Sequence, residues 1–269
     1  MNKKQDKKAE KEFFDRASFR LGSEYVFTNE EQFMNYNEIF ELLAMNECNS
    51  LKVLDVGAGR GSFSIRLAKM GYQVTTVDLT EKLCKVIEKR ASDNKLNIAV
   101  LCGDAEKLPF KDKTFDACFV GNLLHHFPDC SRVVNELYRV VRDKLYIVEP
   151  NGSNIVLRFS RWLGSTPPLR KILSNPQKKV CTICGGATVN QTIHGTKTYI
   201  HLLNKSHFKN IQILTTSQNY RSSFAKEFLK EYPYWIQIMY KVRNLLWRTG
   251  SVLVPKMYSD TLVLFKMEK

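Results

Sequence analysis

Residues 53–63, VLDVGAGRGSF, place Gly57, Gly59 and Gly61 at alternate positions directly behind a short apolar run. Each glycine gives up backbone entropy and adds no packing, so a bare backbone here must bring some other gain. What it offers is close approach: without Cβ atoms, backbone N–H groups can meet a ligand just where a helix begins. Asp55 stands two residues ahead of the first glycine. Two further places hold groups able to move a proton. His125 and His126 lie in GNLLHHF, and Glu149 closes KLYIVEP. An imidazole suits general-base work near neutral pH, and a carboxylate is the next choice. Each has a structural alternative. One histidine could pack beneath its neighbours while the other makes a structural hydrogen bond, and Glu149 could orient a nearby backbone group. A third set, Cys181-Thr-Ile-Cys184-Gly-Gly, is half of a zinc site without a second pair. His194 and His201 would complete it only at unusual spacings, and a redox pair or a tight turn reads as well, so no metal ligand is assigned.

The elements that must carry these groups follow from the hydrophobic pattern. Apolar runs of strand length, LKVLDVG, QVTTVDL, NIAVLCGD, FDACFVGN and KLYIVEP, alternate with the helical patterns SFSIRLAKMG, TEKLCKVIEKRASDNK and CSRVVNELYRVVRD. Thr80 stands where the second helix needs an N-cap. Strands that are apolar throughout, alternating with helices, predict an α/β fold whose parallel sheet is covered on both faces, a doubly wound arrangement. Ahead of them, Phe33, Tyr36, Ile39, Phe40 and Leu43 recur at helical spacing between Glu30 and Leu43. From about residue 151 the regular beat stops. An amphipathic stretch is broken at Pro167-Pro168, and a polar, glycine-containing stretch runs through Gly195. Then come a helix (TKTYIHLLNKSHF), a strand (NIQILTT), an aromatic and basic helical stretch, and a last strand (DTLVLFKM).

The glycine spacing separates two classes of cofactor site. A dinucleotide fold wants G-x-G-x-x-G, but Ser62 stands where the third glycine would fall. The G-x-G-x-G found here, with Asp55 before it, resembles the first motif of the class I S-adenosylmethionine-dependent methyltransferases. GDAEKLPF (103–110) and GNLLHHF resemble later segments of that family, nearest to the group that methylates quinones, lipids and small metabolites. The resemblance covers residues 50–150. It implies a seven-stranded Rossmann-like sheet with the last strand antiparallel. It also implies an S-adenosylmethionine site at Asp55, Gly57, Ala58, Gly59 and Gly61. Asp78 and Leu79 would lie at the ribose, although Asp78 alone also reads as a helix-entry carboxylate. Asp104 and Ala105 would lie at the adenine, and the Asn122 backbone at the cofactor's amino group. The acceptor would lie beside His125, His126 and Glu149. Residues 1–49 are expected to cover the cofactor site, ahead of a methyltransferase domain over 50–269 with insertions at about 151–195 and 216–257. The aromatic Asp/Asn-Pro-Pro-Tyr motif of enzymes acting on nucleobase amines is absent after the fourth strand, where GNLL stands.

Charge speaks to partners. The net charge is +14, and residues 155–269, with 18 basic and 4 acidic groups, carry all of it. All three tryptophans, Trp162, Trp235 and Trp247, lie there too. In WIQIMYKVRNLLWR (235–248), Gln237, Lys241, Asn244 and Arg248 share one narrow stripe of an otherwise apolar helix that Arg243 alone interrupts. Such a helix packs on the sheet, lines an apolar acceptor pocket, or dips into a membrane interface. With the resemblance to the group that methylates quinones, lipids and small metabolites, the expected acceptor is small and apolar: a quinone, an isoprenoid or a lipid-like metabolite. The interfacial alternative would have it reached at an anionic membrane surface. An enzyme using the basic half on RNA, and a non-catalytic cofactor-binding regulator, are the alternatives. The charged opening MNKKQDKKAEKE lacks the apolar segment of a signal peptide, and the seven scattered cysteines read as small hydrophobes. Both point to a cytoplasmic protein, peripheral on the membrane if the interfacial reading holds.

Overall fold

The structure, a computed structural model, describes residues 7, 11, 36–43, 45, 50–154, 192, 194–216 and 262–269. In chain order the described elements are α1 (Tyr36–Leu42), β1 (Lys52–Val56), α2 (Ser62–Lys69), β2 (Gln73–Asp78), α3 (Glu81–Asp93), β3 (Ile98–Cys102) and β4 (Phe115–Gly121). There follow a 3-10 turn (Leu124–His126), α4 (Ser131–Val140), β5 (Val141–Pro150), α5 (Thr196–Lys205), β6 (Lys209–Thr216) and β7 (Leu262–Glu268). The seven strands form one sheet in the order β3-β2-β1-β4-β5-β7-β6. Strands β1 to β5 run parallel, and β7 is antiparallel to both of its neighbours, as the resemblance implies.

The strands read as apolar throughout because both faces are buried. Leu54, Val56, Cys118, Val120, Leu145, Ile147, Val263 and Phe265 point into one core, closed by Val133, Val134 and Leu137 of α4 and by Tyr199 and Leu203 of α5. The alternate residues Val53, Val74, Ala117, Phe119, Tyr146 and Leu264 point into the other, under Ile39 and Phe40 of α1 and Phe63 and Leu67 of α2. Aromatic rings knit that second face: Phe63 lies 4.4 Å from Phe119 and Phe40 6.0 Å from each, centroid to centroid. Burial of this kind, about 25 cal/mol per Å² of apolar surface, holds the strand ends in place. The chain reverses its direction of winding between β1 and β4, so the carboxyl ends of these two strands frame a crevice.

The extension from Glu30 begins as described helix only at Tyr36. Thr80 does occupy the N-cap of α3, but its side chain makes no capping bond; Asp78 accepts the Thr80 N–H instead (3.0 Å). The proline-broken segment, Cys181 and Cys184, and the stretch from Trp235 to Arg248 lie outside the described residues. Among the described residues no helix is long and apolar enough to cross a membrane.

Candidate cofactor and acceptor site

β1 delivers the chain to the crevice at Val56, and the glycine turn begins there. All three glycines sit at positive φ: 69° at Gly57, 58° at Gly59 and 75° at Gly61. That conformation strains any residue with a Cβ. The Gly57 N–H donates to the Val77 carbonyl (2.8 Å) and Gly61 N–H to that of Ala58 (2.8 Å), which closes the turn and opens α2. Arg90 of α3 reaches over to donate to the Arg60 carbonyl (2.7 Å). The three positions do different work. A Cβ at Gly57 would come within 2.5 Å of Leu123, and one at Gly61 would press on Ile87 at 3.0 Å. One at Gly59 would meet none of the described atoms within 4 Å. Gly59 thus borders a space that none of the described residues fills, and that is the test of fit for a cofactor: a cradle a single Cβ would fill.

Asp78 ends β2 beside this cradle. Its Oδ2 accepts the Gly59 N–H (2.8 Å) and its Oδ1 that of Thr80, so one carboxylate holds both the glycine turn and the entry to α3. A carboxylate oxygen accepts along two lone-pair directions, so one that holds an N–H is also chemically able to take a hydroxyl. Both readings of Asp78, ligand group and helix-entry carboxylate, therefore describe the same geometry. Asp104 follows β3, with its Oδ1 taking the Glu106 N–H (2.9 Å) and its other oxygen pairing with Lys7, which also pairs with Glu106. Arg139 of α4 anchors the rest of this loop by donating to the carbonyls of Leu108 (3.0 Å) and Phe110 (2.6 Å). Glu136 accepts the Leu108 N–H (2.8 Å), and its hydrogen bonds to Arg139 hold its carboxyl below the ordinary range. Ala105 is buried in this loop, and Leu79, partly exposed, lends its carbonyl to the Cys102 thiol (3.4 Å).

Asp55 departs from its expected role. Its side chain turns away from the turn into the layer between sheet and α2, where Ser64 donates to it and Thr76 lies 2.7 Å beyond. It is buried, and burial pushes its carboxyl up to about 7, against the Ser64 hydrogen bond and with the charge of Asp78 adding to the rise. Asp55 supports the turn from below and is not shaped to touch a cofactor.

The acceptor-side candidates do come together. β4 ends at Gly121, and Asn122 at φ 56° turns the chain, its N–H held by the Val148 carbonyl (2.8 Å). Leu123, Leu124 and His125 then point their N–H groups at Glu149, which has no exposed surface. Glu149 Oε1 takes Leu123 (2.7 Å) and Leu124 (2.6 Å); Oε2 takes the His125 N–H (3.3 Å) and lies 2.9 Å from His125 Nδ1. His126 stacks beside His125 with ring centroids 4.3 Å apart, and both are nearly buried. His194 donates through Nε2 to the Phe127 carbonyl (2.8 Å), and Thr192 N–H to that of His125 (2.7 Å), fixing the far side of the loop. Tyr199 stands behind, its ring 5.6 Å from His194, its buried hydroxyl without a hydrogen-bond partner among the described residues. Burial first and the charge of Glu149 second hold that phenol neutral. Sequence reasoning missed Arg139, Glu136 and Tyr199, and gave His194 to a metal reading. The sequence signal for the first two was an acidic and a basic residue three apart on α4; Tyr199 carried none.

A glycine cradle at the switch in strand order, with a carboxylate at the end of the next strand, defines an α/β domain that binds a nucleoside-containing cofactor. Residues 54–148 match the family described as a methyltransferase domain. This part of the chain is a class I S-adenosylmethionine-dependent methyltransferase domain. The chain is 32% identical over 143 residues to a demethylmenaquinone methyltransferase of Streptomyces avermitilis, covering 48% of this chain and 57% of the relative. It is 39% identical over 90 residues to a ubiquinone biosynthesis O-methyltransferase of Coxiella burnetii, covering 34% and 38%. The chain thus spans about half the length, or less, of the curated relatives it matches. Among solved structures, a methyltransferase in complex with the Trm112 methyltransferase activator of Haloferax volcanii superposes with a TM-score of 0.64 at 12% identity, over 96% of each chain. Magnesium protoporphyrin IX methyltransferase of Synechocystis superposes at 0.54 and 15% identity, over 87% of this chain and 80% of that one. These likenesses carry the fold.

Proposed function

We propose that this protein transfers a methyl group from S-adenosylmethionine to a small, apolar acceptor of the quinone, isoprenoid or lipid class. One observation carries the reading: the glycine cradle after β1, which no described side chain fills at Gly59, and the His125–Glu149 pair, held by the neighbouring strands β4 and β5, lie at the carboxyl ends of adjacent strands, with Leu123 packed on Gly57 between them. Bound there, S-adenosylmethionine would supply an electrophilic methyl, which leaves the chain to hold cofactor and acceptor in line, exclude water and remove a proton. Gly57, Ala58, Gly59 and Gly61 would give the cofactor bare backbone, Asp78 and Leu79 would take the ribose, and Asp104 and Ala105 the adenine. The Asn122 N–H is committed to Val148, so contact with an amino group falls to its carbonyl. Lys7 and Lys11, which reach Asp104, Glu106 and, at 4.0 Å, Glu81, support the reading of the N-terminal residues as a cover for this site.

The names of the quinone methyltransferases among the relatives support the acceptor class. The basic second half with its three tryptophans supports access from an anionic membrane, where basic groups contribute about 1 kcal/mol each and tryptophan prefers the headgroup level. Untargeted mass spectrometry of lipid and polar extracts, with and without the gene, tests the reading. The expected result is a quinone- or lipid-like species that loses one methylene mass when the gene is removed. A shift confined to nucleosides of RNA would contradict it.

A further inference from the structure

Glu149 is placed as though it were a base, yet the structure gives it no way to meet an acceptor. It has no exposed surface, and four N–H donors converge on its two oxygens: three from consecutive backbone amides and one from an imidazole. A carboxylate accepts at about four lone-pair directions and donates nothing, so this set fills it. Hydrogen bonds from ring to carboxylate also fix which imidazole nitrogen carries the proton. A carboxylate oxygen 2.9 Å from Nδ1 accepts a hydrogen bond there, so in the neutral ring Nδ1 carries the proton and Nε2 the lone pair. That nitrogen hydrogen-bonds to none of the described residues, and the ring keeps 8% of its surface exposed.

We infer that Glu149 is a positioning residue that locks His125 in the Nδ1–H tautomer and so presents Nε2 to the acceptor as the base. This rests on the methyl-transfer reading for the acceptor, but the tautomer is a property of the protein alone. The same carboxylate clamps the backbone that carries the ring: Leu123, Leu124 and His125 form one rigid arc, and Leu123 packs on Gly57. Position and protonation of the base are thus set by one group, which arrives from β5 while the ring arrives from β4. Glu149 faces the ring of His125 at 2.9 Å, and that contact selects His125 as the base. Tyr199 and Cys130 behind the pair are not competing proton carriers: burial pushes the Cys130 thiol up to about 12 and the Tyr199 phenol higher still.

Glu149→Gln makes the inference testable. A carboxamide offers one acceptor oxygen and one NH₂. With the oxygen kept on Leu123 and Leu124, the NH₂ faces His125, where only an unprotonated Nδ1 can accept it. The proton must then move to Nε2, and the base loses its lone pair toward the crevice. Long-range ¹H–¹⁵N NMR of ¹⁵N-histidine-labelled full-length protein reads the tautomer directly, with His125 assigned by the peaks lost in His125→Gln. The expected result is Nδ1–H with unprotonated Nε2 in the wild type, inverted in Glu149→Gln. Nε2–H in the wild type would overturn the inference, whether or not the variant folds. So would a folded Glu149→Gln protein, shown by its amide spectrum, that retains the wild-type tautomer. Neither reading involves cofactor or acceptor, so neither depends on whether methyl transfer is the activity.

Discussion

Replacing Asp55 with asparagine should change how the stability of the domain depends on pH. The buried carboxyl titrates near 7 in the folded chain and near the ordinary aspartate value of about 3.9 in the unfolded one. Between those values the folded chain holds a proton that the unfolded chain has released. Stability therefore falls as pH rises, by about 1.4 kcal/mol per unit across the window. Below about pH 4 the neutral acid is buried without penalty in either comparison, and above about 7 the full cost is reached. From pH 5 to pH 8 the loss comes to about 2–3 kcal/mol, a large share of a typical domain's stability. Asparagine is neutral throughout, and its side-chain oxygen can accept the Ser64 hydroxyl in place of the carboxyl. Urea unfolding followed by far-ultraviolet circular dichroism at pH 5, 6.5 and 8 gives both stabilities, and their difference cancels most other titrating groups. The difference should move by about 2–3 kcal/mol in favour of Asp55→Asn across that range. A difference that stays constant would refute the buried, neutral assignment of Asp55.

Three further outcomes are expected. Asp78→Ala removes the acceptor of the Gly59 N–H together with the carboxylate offered to the ribose, so S-adenosylmethionine affinity should drop by about ten- to a hundredfold, the worth of one charge-assisted hydrogen bond or slightly more. Calorimetry checks it, and a loss below about threefold would leave Asp78 as a helix-entry group alone. Arg139→Ala frees two loop carbonyls and uncouples Glu136, so urea unfolding should show a loss of roughly 2 kcal/mol, whereas an unchanged midpoint would mean that the loop after β3 is held by its apolar contacts. Cosedimentation should find the protein on anionic vesicles at low salt and released at high salt; protein that stays in the supernatant at low salt would remove the membrane proposal.

The sequence made the cradle and the sheet readable for the same reason: both are written locally. Alternate glycines behind an apolar run need no distant partner to be interpreted, and strands buried on both faces announce themselves by unbroken hydrophobicity. Asp55 shows the limit. Its place before the glycines is fixed by sequence, but the face it points to depends on strand pleat, and there it shares the layer of Val53 with Ser64 and Thr76. Glu149 shows it again. A glutamate closing a strand reads equally as base or brace until four donors from another strand's loop are seen around it. Arg139 and Tyr199 act across pairings distant in the chain, which no local period encodes.

The central claim is that the turn at Gly57–Gly61 is a cofactor cradle, and Gly59 isolates it. A Cβ there meets none of the described atoms, whereas one at Gly121 would come within 2.5 Å of Phe63 in the core. Calorimetric titration of S-adenosylmethionine into wild type, Gly59→Val and Gly121→Ala, with unfolding curves alongside, compares the two directly. The account predicts measurable binding to the wild type, none to a Gly59→Val protein that remains folded with only the modest strain of a positive φ, and a clear loss of stability in Gly121→Ala. A folded Gly59→Val protein that binds S-adenosylmethionine as the wild type does, or a wild type that does not bind it, would contradict the account.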